Sequence, residues 1–424
     1  MTMQGDNGMY ELAVFGHWLE AAVRWLHMIT GIAWIGSSFY FIALDLGLRK
    51  DKPLPPGVAG EEWQVHGGGF YHMQKYVVAP STLPEHLTWF KWESYWTWMS
   101  GFALLAIVYY AGAELYLIDK NVLNVSQPVA ILISLASLSI GWVLYDFLCK
   151  SPIGNNHTAL MTLLYIILVA MAWGYTQLFT GRAALLHLGA FTATIMTANV
   201  FLIIIPNQKI VVADMIAGRT PDPALGLQAK QRSTHNNYLT LAVLFLMISV
   251  HYPLAFGSKY NWLIASLVFL IGVVIRHYFN SMHSRTGKPL WTWAVAALIF
   301  WAIMWLSGIP KDSVAADPPQ KTAASVLTPQ EQKIAAHPAF KDARDAVQTR
   351  CTMCHAKQPV WAGVIAPPKG ILLETDADII RAANMIYLQS GRTDAMPPAN
   401  ITEMNAKERK AIVNWYRAAI AGRS

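Results

Sequence analysis

Cys351-Thr352-Met353-Cys354-His355 is a C-x-x-C-H run, and Ala395-Met396-Pro397-Pro398 follows about forty residues later. Two thiols at this spacing can each add to one vinyl group of a haem, while the next side chain brings its imidazole to the iron as the proximal ligand. Met396 offers a sixth ligand, and His/Met ligation is the high-potential arrangement used in electron transfer. We therefore expect one covalent haem c, with Cys351 and Cys354 as thioether anchors and His355 and Met396 as axial ligands. Half of a zinc site is the other reading of the cysteine pair. No second pair is available to complete it, because the chain has three cysteines and Cys149 stands alone.

Working outward, composition shows what this motif is attached to. Apolar residues make up 54% of the chain, charged residues only 13%, and there are 17 tryptophans. A soluble domain would carry about a quarter charged residues, so a membrane protein is expected, with the lipid bilayer as its solvent. The formal charge of +7 is spread through short connections. Without a basic run interleaved with aromatics, it does not point to nucleic acid. Three cysteines, two of them in the motif, exclude a disulfide framework.

The stretch from Met1 to Gly16 lacks a basic n-region and a small-residue cleavage site, so no cleavable signal is expected. Eight apolar spans follow: Trp18 to Leu48, Tyr95 to Ile118, Pro128 to Leu148, Thr158 to Phe179, Ala183 to Ile205, Tyr238 to Phe256, Trp262 to Phe279 and Trp291 to Ile309. The polar segment Asp51 to Lys91, with His66, Gly67-Gly68-Gly69, His72 and His86, reads as a long loop or a short interfacial helix. The glycine triplet lacks the strand-then-helix context of a phosphate cradle and reads as a flexible connection.

An even number of spans places both chain ends on one side, and thioether attachment belongs to the periplasmic side of a bacterial inner membrane. The loops then assigned to the cytoplasm carry Arg49, Lys50, Lys52, Lys75, Lys91, Lys150, Lys209, Arg219, Lys230, Arg232, Arg285 and Lys288, whereas the opposite loops carry only Lys120, Arg182 and Lys259. This is the positive-inside bias that the haem side requires.

After the last span, Pro310 to Leu327 has the Pro/Ala/charge mixture of an extended linker. The expected organisation is all-α: a membrane helix bundle over 1–309, a linker over 310–327 and a small c-type cytochrome domain over 328–424. Thr328-Pro329-Gln330-Glu331 reads as a capping box opening a helix toward Arg350, and Asn405 with Glu408 opens a last helix through Ile420.

Ionisable and amide side chains inside spans are functional candidates, and they form two layers. The periplasmic half holds Glu20, Arg24 and His27 on the first span, His187 on the fifth and His251 on the sixth. His27, His187 and His251 could hold a b-type haem, with Arg24 at a propionate; the alternative is that each bonds a neighbouring helix. The cytoplasmic half holds Asp146, Asn155, Asn156, His157, Asn207, Arg232, His235, Asn236, Asn237, Arg276, Asn280 and His283. Such a set suits a flat anionic heterocycle, since Asn both donates and accepts and Arg matches charge with a planar fork; helix caps and interfacial anchors are the competing use. Trp18, Trp89, Trp92, Trp262 and Trp291 fall at span ends as an interfacial belt, with Trp34, Trp142 and Trp173 deeper.

With this order in place, the chain resembles the bacterial membrane-bound urate oxidases, or urate hydroxylases, that carry a fused C-terminal cytochrome c. The residues behind the likeness are Arg24-Trp25-Leu26-His27 with Ala33-Trp34-Ile35-Gly36, Arg232-Ser233-Thr234-His235-Asn236-Asn237-Tyr238, and the C-x-x-C-H run with Met396. It covers essentially the full length. It implies oxidation of urate to 5-hydroxyisourate in purine degradation, with electrons leaving through the cytochrome to a respiratory acceptor such as a cytochrome oxidase or a soluble cytochrome c. No motif of the resemblance assigns urate contacts; from the residues themselves, Arg24, His27, His235 and Asn236 are the catalytic candidates. The first span also looks like the opening helix of membrane porphyrinogen oxidases that bind b-type haem, which favours His27 as a redox-site ligand. A quinol or porphyrinogen dehydrogenase feeding the same cytochrome, and a transporter or sensor with a tethered cytochrome, are the alternatives.

Overall fold

The structure, a computed structural model, describes residues 12–309 and 326–420 apart from 77, 79, 81, 121, 363, 365 and 366. Nearly all of the linker lies outside the described residues, as do residues 1–11.

Helix α1 spans Leu12–Gly47, 36 residues, or about 54 Å at 1.5 Å per residue. That exceeds a hydrocarbon core of about 30 Å, so the helix projects beyond it. The segment expected as a loop or helix is instead a two-stranded antiparallel hairpin, β1 (Val58–His66) and β2 (Gly69–Tyr76). Gly67 and Gly68 both have positive φ, 59° and 80°, the signature of the two-residue I′ turn that matches strand twist. The triplet is thus a tight turn, not a slack connection. The hairpin lies back along the end of α1: Tyr40 Oη donates to Gln64 Oε1 at 2.7 Å, and Lys75 pairs with Asp45.

Helix α2 (Trp92–Leu104) continues through a π-helical turn to Tyr110 and breaks at Ala111-Gly112, leaving only a short α3 (Ala113–Tyr116) before the next crossing. Then come α4 (Gln127–Lys150), α5 (His157–Thr176) and α6 (Gly181–Ala198), which runs through a π-helical turn, Asn199–Ile204, into α7 (Ile205–Ile216). Pro206 explains that turn. Its ring removes an N–H and crowds the carbonyl four residues back, so the ladder widens locally. Helix α8 (Pro223–Ile248) is capped by Asp222, whose carboxylate accepts from Ala224 N at 2.8 Å. It starts fifteen residues before the expected Tyr238, so Arg232 to Asn237 lie within a helix, not at its entrance. A short α9 (Pro253–Phe256), α10 (Asn261–His283) and α11 (Trp291–Gly308) complete the bundle.

Among the described residues, six helical rods are long and apolar enough to cross a membrane: Val14–Gly47, Gln127–Lys150, His157–Thr176, Gly181–Ile216, Asn261–His283 and Trp291–Gly308. The other two expected spans are helical but fall outside this set, α2 because of its break and α8 because its first half is polar. The bundle is organised on α6, where Ala183, Leu185, Leu188, Phe191 and Ile195 are fully enclosed. A Cβ at Gly141 would meet the Phe191 ring, so the glycine allows α4 to close on α6.

The C-terminal unit has a second apolar core around Phe340, Val347, Ile379, Tyr387, Ile412 and Trp415. The capping boxes at Thr328/Glu331 and Asn405/Glu408 are both formed. A single helix to Arg350 was expected; the chain instead makes α12 (Pro329–Ala335) and α13 (Phe340–Arg350). Pro338 lies in the gap, and a proline disfavours helical geometry in the residue before it. Helices α14 (Asp376–Arg381), α15 (Ala383–Ile386) and α16 (Ala406–Trp415) close this core. The unit rests on the bundle: Val14 and Leu115 pack against its core, and a Cβ at Gly370 would stand 3.2 Å from the Phe256 ring.

Candidate functional site

In the C-terminal unit, Cys351, Cys354, His355 and Met396 line one cavity of about 390 Å³ with Trp361, Ile371, Leu373, Ile386, Pro397 and Ile401. The turn that ends α13 presents the motif: Cys354 N and His355 N both donate to Cys351 O, at 3.1 and 2.9 Å. His355 Nδ1 donates to Ile371 O at 3.0 Å, which fixes the tautomer and leaves Nε2 bare toward the cavity. Burial lowers the His355 pKa against the carbonyl bond that raises it, so the ring is neutral near pH 7. Burial pushes the Cys351 thiol up to about 12, and Cys354 adds to the shift. From the far wall, Met396 is held through its backbone, its N–H donating to Gln389 O at 2.8 Å and its carbonyl accepting from Arg409 Nη1 at 2.9 Å. Two free thiols, an imidazole nitrogen and a thioether around one apolar cavity fit a covalent His/Met haem. Among the described residues no cluster of His, Cys, Asp and Glu forms that could hold a metal ion by itself.

The first layer of candidates, on α1, α6 and after α8, is dispersed. Arg24 pairs with Glu20 one turn back on α1. His27 Nδ1 lies 3.0 Å from Thr97 O and 3.2 Å from Ser100 Oγ on α2, and its ring fills the space over Gly101. His187 is fully buried, with Nδ1 donating to Ala183 O and Nε2 accepting from Ser134 Oγ, both at 2.8 Å. Neither nitrogen is free, and Tyr109, Tyr175 and Phe179 surround the ring. A bis-imidazole b haem built on His187 does not fit the bundle as folded. His251 sits beyond the end of α8, within electrostatic reach of Arg24, Arg182 and Lys369.

The second layer of candidates converges. Tyr145 Oη lies 2.8 Å from His235 Nδ1, and Asn199 Nδ2 donates to Tyr145 Oη at 3.1 Å and to Asn236 Oδ1 at 2.9 Å. Arg232, fully buried, donates from Nη2 to Asp146 Oδ1 at 2.7 Å and lies over the Tyr145 ring. Among the described residues, His235 Nε2 and Arg232 Nε are buried without hydrogen-bond partners. A ring oriented through one nitrogen with the other bare can exchange a proton with a bound molecule. Asn236 differs: its Nδ2 donates to Met196 O at 2.9 Å, so its amide is spent tying α8 to α6. Tyr145 and Asn199 are participants that sequence reasoning missed. The available signal was an Asn inside an apolar span.

A family model described as urate oxidase N-terminal matches residues 13–307. The chain belongs to this family. The match covers α1 to α11, well over half of the sequence, and ties the membrane bundle to urate oxidation. It stops short of α12, so family membership concerns the bundle and not the C-terminal unit. No curated protein and no solved structure matches the chain.

Proposed function

We propose that the protein oxidises urate to 5-hydroxyisourate at the membrane and passes the electrons through a C-terminal c-type cytochrome to a respiratory acceptor, a cytochrome oxidase or a soluble cytochrome c. The reaction balances as urate plus water giving 5-hydroxyisourate, two protons and two electrons. The observation that carries the electron route is the cavity shared by Cys351, Cys354, His355 and Met396; the family match carries the substrate. A haem bound there supplies a one-electron acceptor. The chain's own part is to hold it through two thioethers, with His355 Nε2 presented by the Ile371 bond. Within the bundle, Tyr145 holds the His235 ring at Nδ1 and stiffens the packing of α4 on α8 beside the substrate path.

The same reading places the protein in the bacterial inner membrane with eight spans, the six long apolar rods plus α2 and α8, and with the C-terminal unit over 328–424 on the periplasmic side. The positive-inside distribution supports it.

The test is anaerobic addition of urate to the haem-loaded protein while the c-haem absorption is followed. Reduction at a rate that scales with urate, lost in His355→Ala, is expected. Haem that stays oxidised with urate but is reduced by a quinol or a porphyrinogen would replace the substrate. Urate uptake into vesicles without oxidation would replace the enzyme by a transporter.

A further inference from the structure

On the opposite side of α8 from His235, a second cavity of about 150 Å³ opens at the cytoplasmic end between α1, α8 and α10. Asp45, Lys230, Ser233, Thr234, Asn237 and Asn280 are among the residues that line it. Behind it stands Arg276, 6% exposed and, among the described residues, with no carboxylate partner. Its guanidinium lies 4.1 Å from the centroid of the Phe39 ring. Nε donates to Asn237 Oδ1 at 3.2 Å and Nη2 to Asn280 Oδ1 at 3.0 Å, while Asn280 Nδ2 also donates to Asn237 Oδ1 at 3.0 Å. The Asn237 oxygen is therefore doubly engaged and its orientation fixed. Its Nδ2, on a fully buried side chain that lines the cavity, has no acceptor among the described residues. At the rim Asp45 is neutralised by Lys75, whereas Lys230 forms no ion pair among the described residues.

A buried donor without an acceptor and a buried cation without an anion are both costly left alone. One occupant relieves both: a small anion that carries a carbonyl oxygen. The volume equals about five waters at roughly 30 Å³ each, which suits one fused ring system and excludes a tetrapyrrole.

Building on the urate reading above, we propose that this cavity is the urate-binding site. Asn237 Nδ2 donates to a ring oxygen, Lys230 balances the charge from the rim, and Arg276 is a positioning residue that locks both amides from behind. None of these three is among the residues that first suggest themselves for catalysis, Arg24, His27, His235 and Asn236.

The test uses the full-length haem-loaded protein and two readouts: equilibrium dialysis of urate against protein held reduced with dithionite, so that no turnover occurs, and KM and kcat for urate-driven haem reduction. Asn237→Asp keeps the oxygen that Arg276 and Asn280 need, removes the donor and adds a repelling charge. Its fold is checked by an unchanged reduced haem spectrum and melting temperature. We expect a tenfold or larger loss of urate binding with a matching rise in KM and a smaller change in kcat. Lys230→Gln should weaken binding several-fold, less so at high salt. Wild-type binding in both variants, while urate still reduces the wild-type haem, overturns the site and leaves the function standing. A wild-type protein that neither binds urate nor reduces its haem overturns the functional reading, and the assignment of this cavity to urate with it.

Discussion

At the scale of single residues, the cavity that gathers Cys351, Cys354, His355 and Met396 and the polar network inside the bundle are built in different ways. Thioether attachment is local: Cys351, Cys354 and His355 occupy one turn, so their spacing contains the geometry. A polar network between helices is not local. Tyr145 on α4, Asn199 after α6 and His235 on α8 meet only because those helices pack, and periodicity cannot show convergence. The structure also separates neighbours that sequence treats alike: Asn236 is consumed by α6, whereas Asn237 keeps its Nδ2 without an acceptor among the described residues. A residue-level prediction concerns Glu331, which bonds Arg381 at 2.8 Å between α12 and α14. Burial raises its pKa, but the Arg381 and Thr328 hydrogen bonds outweigh this and hold the carboxyl below its ordinary value. A carboxyl depressed in the folded state stabilises above its unfolded pKa and loses that contribution as pH falls through the folded one. Denaturant melts followed at the haem should therefore show the C-terminal unit weakening on acidification below about pH 4.5. In Arg381→Gln that pH dependence should flatten, with a loss of about 3 kcal/mol at neutral pH.

Among the elements, helices were readable wherever apolar length alone defined them. The misreadings fall where polarity and structure part company. The β1–β2 hairpin was hidden because Glu61, Glu62, Gln64 and His72 interrupt its alternation, and its Gly67-Gly68 turn looked like slack chain. The first half of α8 was hidden because a helix that leaves the bilayer carries the same Gln, Lys and Arg as a loop. Two substitutions test the packing and turn chemistry described above. Gly141→Val would drive a side chain into the Phe191 ring, since even a Cβ there is too close; a loss of about 3 kcal/mol in detergent melts is expected, at the upper end for overpacking. Gly68→Val forces a branched residue to a φ of 80°, at a cost of about 1–2 kcal/mol confined to the hairpin. Hydrogen exchange should rise in β1 and β2 and stay unchanged in α4 and α6.

For the whole molecule, membrane orientation is the prediction that binds the parts together. In a Cys149→Ser background, a cysteine at Lys120 should react with an impermeant thiol reagent added to intact cells, and one at Lys288 only after lysis; the reverse pattern would invert every loop. Asn237 and His251 are fourteen residues apart along one nearly continuous helical run, or about 20 Å. On the proposed function, with urate at Asn237 and the haem unit seated by Phe256 beyond His251, electrons cross between two depths of the bundle. The exit has a further consequence in the way the C-terminal unit rests on the bundle. The loop that holds His355 through Ile371 also places Gly370 against Phe256, while Leu115 and Val14 seat the neighbouring core. On the proposed function, a unit fixed at this seam is a stationary electron terminal and not a swinging shuttle. Its reduction should not slow when residues 310–325 are lengthened by a flexible insert, whereas Gly370→Leu, which wedges the seam apart, should slow it at any tether length.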